Sequence, residues 1–111
     1  MENVLFDRIR RDITANDIVL YMKGTPSFPQ DGYSAVMAEV LHSYKVPYLG
    51  IDVLEEPDLY KALKEFTNWP SVPQLYIKGN FIGGSDTVKE MNATGDLRKL
   101  LEKNGLLYPQ N

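Results

Sequence analysis

The chain contains no cysteine. That excludes disulfides, zinc–thiolate sites and thiol catalysis for the 111 residues as they stand. Histidine is almost missing too. His42 alone cannot make a metal site, and its place beside Ser43 in a predicted helix reads as a surface residue. No apolar run approaches the roughly 18–20 residues that span a bilayer. Neither sign of charge is massed. Twelve Lys and Arg against fifteen Asp and Glu give a net charge of −3, scattered along the chain. This argues against nucleic acid as a partner. The opening MENVLFDRIRRDI mixes acids, bases and apolar residues, unlike a secretory signal. The expected location is therefore cytoplasmic, with no membrane association.

What is present is enough for one domain over residues 1–111, with 106–111 read as a loose C-terminal tail. The 43% hydrophobic and 24% charged fractions are ordinary for a globular protein. Leu5, Ile9 and Ile13 recur at helical spacing over 3–14. IVLYM at 18–22, apolar on both faces, predicts a central buried strand. Residues 23–30 hold Gly24, Pro26 and Pro29 and read as a loop. A second helix starts at Asp31, with Tyr33, Met37, Val40, Leu41 and Tyr44 along it, and PYLGIDV at 47–53 is a second strand. Pro57 suits the first position of a third helix, whose Leu59, Ala62, Leu63 and Phe66 share one face. QLYI and FIG flank Lys78-Gly79-Asn80 as a hairpin. A fourth helix follows Gly83-Gly84 with Ser85 or Asp86 as its cap, and a fifth stops at Gly105. The order α-β-α-β-α-β-β-α-α closes most simply as an α/β fold: a four-stranded mixed sheet flanked by helices on both faces.

Three features of this layout converge on ligand chemistry. The stretch KGTPSFPQDGYS at 23–34 runs from Lys23 into a helix start, where free N–H groups and the positive helix end favour an anion. Pro73 stands at a strand entry. A cis Val72–Pro73 bond would turn the Val72 backbone outward, leaving its N–H and C=O to pair with an extended peptide. Gly83-Gly84 lets the chain bend closely before Ser85 and Asp86 open a helix whose N–H groups can take a carboxylate. A small peptide with two carboxylates and one amine fits: one end on Lys23 and Lys64, the middle on Val72, the other end on Ser85 and Asp86, with Asp86 taking the amine. Singly, each feature is also what a solvated lysine, a strand-entry proline or a plain helix cap would give. Their combination on this topology raises them above that.

These residues carry a resemblance. MKGTP with GYS, the long stretch NWPSVPQLYIKGNFIGGSD at 68–86, and the element order are similar to the monothiol glutaredoxins of the thioredoxin-fold superfamily, over about residues 3–105. In that family a Cys-Gly-Phe-Ser signature follows the Lys-Gly-Thr/Ser-Pro loop; Asp31-Gly32-Tyr33-Ser34 occupies that place here. The resemblance implies glutathione contacts at Lys23, Tyr33, Val72 beside cis-Pro73, Gly84, Ser85 and Asp86. It implies a basic contact from the third helix, where Tyr60 takes the usual arginine position and Lys64 matches a second basic one. Trp69-Pro70 resembles the pair that shapes the wall beside the site. The implied role is to hold a [2Fe-2S] cluster across a homodimer, with one cysteine thiolate and one glutathione per subunit, and to pass it to iron–sulfur acceptor proteins in cluster assembly and redox homeostasis. Asp31 would be the catalytic and metal position only where a cysteine stood there.

A carboxylate cannot attack sulfur, so this chain should not reduce disulfides. It is also a poor ligand for a cluster that cysteine thiolates hold. Three accounts of Asp31 follow. The chain can be a version altered at one position, since aspartate is close in shape and charge to a cysteine oxidised to sulfinic acid. The lineage can have lost the thiol and kept a thioredoxin-fold adaptor role with no redox or cluster activity. Asp31 can serve as a helix N-cap, which is compatible with either. The intact remainder of the site favours the first.

Overall fold

The computed structural model describes residues 3–109. Five helices and four strands follow in the predicted order: α1 Val4–Ala15, β1 Ile18–Met22, α2 Gly32–Ser43, β2 Leu49–Asp52, α3 Pro57–Thr67, β3 Gln74–Ile77, β4 Asn80–Gly83, α4 Ser85–Thr94 and α5 Asp96–Lys103. A single 3-10 turn, Val53–Glu55, joins β2 to α3. No described helix is long and apolar enough to cross a membrane.

The sheet order is β2-β1-β3-β4. β1 runs parallel to β2, with Val19 opposite Leu49 and Tyr21 opposite Ile51. It runs antiparallel to β3, with Ile18 opposite Ile77 and Tyr21 opposite Gln74. β3 and β4 form the antiparallel hairpin. Every residue of β1 and of β3 is buried, as central strands covered on both faces require.

Side-chain alternation then splits the interior in two. Ile18, Leu20 and Met22 of β1 join Leu75 and Ile77 of β3 under α2, α4 and α5, through Met37, Leu41, Val88, Leu97 and Leu101. Val19 and Tyr21 face the other way, with Ile51 and Tyr76, under Ile9 and Ile13 of α1 and Leu59 and Leu63 of α3. The period of two puts alternate residues of one strand into two cores.

Local chemistry sets the helix ends. Asn3 caps α1 through Leu5 N–H at 2.9 Å, and Pro57 opens α3 at its first position. Asn68 ends α3 in the left-handed conformation at φ 54°. Gly105, at φ 74°, follows α5 as predicted. The cap of α4 differs from expectation. Gly84 is the N-cap and Ser85 the first helical residue, with no side-chain cap bond. The bend is completed at Gly83, whose φ of 148° suits a residue without Cβ, and the helix therefore starts one residue earlier. Beyond α5, Leu106 N–H donates to Leu101 C=O at 2.9 Å, and Leu106 and Leu107 pack on the core, while Tyr108 is exposed. The tail expected at 106–111 extends past the described residues.

Candidate ligand-binding cleft

The C-terminal end of β1 leads into the loop that shapes one wall. Lys23 C=O accepts the Gln30 N–H at 2.9 Å, and Gly24 bridges to Pro29, so the loop doubles back on itself. Two contacts with β2 hold it down. One Asp52 carboxylate oxygen accepts both the Gly24 N–H and the Leu54 N–H at 2.9 Å. Pro26 lies on Gly50 so closely that a Cβ there would come within 2.4 Å of the proline Cγ. Neither anchor was foreseen, although an Asp ahead of a Val-Leu-Glu turn is an Asx-type capping signal.

The loop ends at Asp31, the N-cap of α2. Asp31 Oδ1 accepts the Ser34 N–H at 2.7 Å. Ser34 is fully buried, and its hydroxyl accepts the Lys23 backbone N–H at 3.0 Å. The Asp31 Oδ2 lies 3.9 Å from the Lys23 ammonium. Both side chains are partly exposed, so this pair contributes below about 1 kcal/mol. Its importance is in placing charge: one cation and one anion share this end of the cleft.

The facing wall comes from the segment before β3. Val72–Pro73 is a cis peptide, the conformation on which the predicted pairing depended. Among the described residues neither the N–H nor the C=O of Val72 has a backbone partner. The buried Gln74 side chain secures the approach. Its Nε2 donates to Ser71 C=O at 3.1 Å and, at 3.4 Å, to Trp69 C=O and the Thr67 hydroxyl. Gln74 is the lone polar residue of an apolar strand, a signal that a clamp role could have been read from. Trp69, the sole tryptophan, stacks at a tilt on Phe81 with ring centroids 5.6 Å apart.

The third wall is the start of α4. With Gly84 as N-cap and no side-chain cap, the first-turn N–H groups stay open beside Ser85 and Asp86. These three walls enclose a cleft of about 500 Å³. Lys23, Asp31 and Tyr33 line it from the loop and α2; Val72 and Pro73 from the β3 approach; Gly84, Ser85 and Asp86 from α4. Trp69, Ser71 and Thr87 join them, of which Ser71 and Thr87 were not foreseen. Lys64 is the exception among the predicted contacts. It stands outside the lining, on the exposed face of α3, with its ammonium 4.5 Å from the Tyr60 ring centroid. The i,i+4 spacing puts those two side chains on one face and favours a cation–π contact.

Chemically the cleft can hold an extended, charged peptide, but it offers no sulfur nucleophile. Among the described residues no group of three or more His, Cys, Asp or Glu could hold a metal ion. Asp31 has one oxygen committed to the helix and the other beside a lysine. That hard donor does not fit an iron–sulfur cluster.

A β-α-β unit joined to an antiparallel hairpin, with a cis-proline ahead of β3 and a helix N-terminus after β4, defines the thioredoxin-fold class. Within it, the sequence profile of the glutaredoxin family matches residues 18–82. Glutaredoxin 4 of Pasteurella multocida is 42% identical over 104 residues, covering 94% of this chain and 95% of the relative. The mitochondrial monothiol glutaredoxin-S15 of Arabidopsis thaliana is 42% identical over 98 residues, 88% of this chain and 58% of that one. The solution structure of a monomeric truncated mutant of Trypanosoma brucei 1-C-Grx1 superposes with a TM-score of 0.86 at 35% identity, covering 99% of this chain and all of that one. The chain belongs to the glutaredoxin family.

Proposed function

We propose that the chain is a glutathione-binding protein of the monothiol glutaredoxin type whose own residues form the ligand cradle but supply no thiolate. The observation that carries this is the convergence of Lys23, the unpartnered Val72 backbone and the uncapped start of α4 on one cleft. A tripeptide with a carboxylate at each end spans it. One carboxylate pairs with Lys23. The middle residue exchanges two backbone hydrogen bonds with Val72, as a strand adds to an edge. The amino-acid end lies at α4, its carboxylate on the first-turn N–H groups and its amine on Asp86.

Disulfide reduction is outside this reading, because the reaction needs a thiolate that attacks sulfur. Cluster carriage between two subunits, and transfer to acceptor proteins, belongs to a form with cysteine at position 31. Titration calorimetry with glutathione tests the cradle. A measurable heat that is lost in Asp86→Ala supports it, and no heat at millimolar glutathione refutes it. The Asp31→Cys variant tests the wider role. Reconstituted anaerobically with iron, sulfide and glutathione, it should become a coloured dimer. A colourless monomer would remove the cluster role.

A further inference from the structure

We propose that the cleft selects glutathione whose sulfur carries a neutral, apolar substituent in thioether linkage rather than anionic sulfur. The inference rests on the glutathione reading above and names the form of ligand the site takes. Placing the ends of the tripeptide on Lys23 and α4 and its middle on Val72 leaves Asp31 as the one lining carboxylate without a ligand partner, and the cysteinyl side chain is assigned to it.

A helix N-terminus ordinarily attracts an anion. At α2 that position is already filled by the protein's own charge. Asp31 Oδ1 takes the Ser34 N–H at 2.7 Å. Nor is Lys23 free to compensate. Its ammonium lies 3.9 Å from Asp31 Oδ2, and the proposed pose also commits it to the ligand's end carboxylate. The charged side chains lining the cleft are therefore Lys23, Asp31 and Asp86, an excess of one negative charge. A second anion brought within a few ångström of Asp31 at such a half-exposed site loses about tenfold or more in affinity.

The rim favours an apolar group in its place. Tyr33 is 63% exposed and Trp69 is 37% exposed, and both line the cleft. These two large aromatic side chains offer apolar surface of the cleft for an S-alkyl or S-aryl group to cover. A thioether has no sulfur–sulfur bond to exchange and Asp31 supplies no thiolate, so such a ligand is held and released unchanged.

The test uses three glutathione derivatives at one pH: S-methylglutathione, S-benzylglutathione and glutathione sulfonate, whose sulfur is permanently anionic. Calorimetry on the whole chain should find S-methylglutathione at least about tenfold tighter than the sulfonate. The Asp31→Asn variant keeps a good helix cap and removes the charge, so this ratio should fall to about threefold or less. S-benzylglutathione should bind about threefold or more tighter than S-methylglutathione, and Tyr33→Ala should reduce that gain. Equal affinities for the sulfonate and the thioether, or a ratio that survives Asp31→Asn, would overturn the inference. Glutathione binding without binding of either thioether also overturns it while leaving the glutathione reading in place. If neither glutathione nor any of the three derivatives binds, both fall.

Discussion

The carboxylate of Asp31 accepts the Ser34 N–H at 2.7 Å, and the Ser34 hydroxyl accepts the Lys23 N–H at 3.0 Å. The cap of α2 and the start of the preceding loop are thus one hydrogen-bonded unit, with buried Ser34 at its centre. Replacing Asp31 with Ala should cost about 1 kcal/mol, and replacing it with Asn only a few tenths, about what cap exchange costs elsewhere. Urea unfolding of both variants measures this. Equal loss in the two would mean that charge, not capping, sets the contribution.

Asp52 makes a second prediction, because it never reaches the cleft and yet holds its wall. Asp52→Ala releases the Gly24 and Leu54 N–H groups together and should destabilise the protein by about 1–3 kcal/mol. Glutathione affinity should drop with it, since Lys23 rides on the same loop. Gly50→Ala should cost about 1–3 kcal/mol through its clash with Pro26. Adding Pro26→Ala should recover part of that loss, and a double-mutant cycle reads the coupling.

Gln74 should matter to the opposite wall. Gln74→Leu leaves Ser71 C=O and Trp69 C=O without their donor, at a cost of about 1–3 kcal/mol. Trp69 is the only tryptophan, so its emission reports the segment directly. Its anisotropy should fall and its quenching by iodide should rise. Unchanged fluorescence would show that Phe81 alone fixes the indole.

A pH effect follows from α1 and α3. The guanidinium of Arg8 forms a two-pronged pair with Glu56, its Nη2 2.9 Å from Oε2. This hydrogen bond holds the Glu56 carboxyl below its ordinary value of 4.5. A carboxylate depressed in the folded state contributes stability that is complete above the unfolded value. That stability is lost as pH falls through the folded one. Glu56→Gln should therefore destabilise the protein at pH 7 by up to about 1 kcal/mol, the pair being partly exposed. The difference from the parent chain should close as pH falls below 4.5. A difference that persists at pH 2–3 would assign the effect to packing.

Much of this could be read before the fold was seen, for identifiable reasons. β1 is fully apolar because it is central and covered on both faces, and that leaves an unmistakable run. Pro57, Asp31 and Gly105 mark helix ends by local chemistry that needs no tertiary partner. What stayed hidden depends on contacts between distant segments. Asp52 reaches back to Gly24, 28 positions away, and Pro26 settles on Gly50. The cap of α4 moved to Gly84 because backbone geometry at Gly83, not side-chain preference, sets the turn. Lys64 was expected at the ligand only through the family resemblance, and its ammonium lies over Tyr60 on the exposed face of α3.

The central claim is that the cleft is a glutathione cradle. Titrating the isotope-labelled protein with glutathione while following every backbone amide tests all three walls together. Saturating shifts should be concentrated at Lys23, Val72, Ser85 and Asp86, with small ones on α1 and α5. No saturating shifts at Val72 and Asp86, or shifts centred elsewhere on the surface, would contradict it.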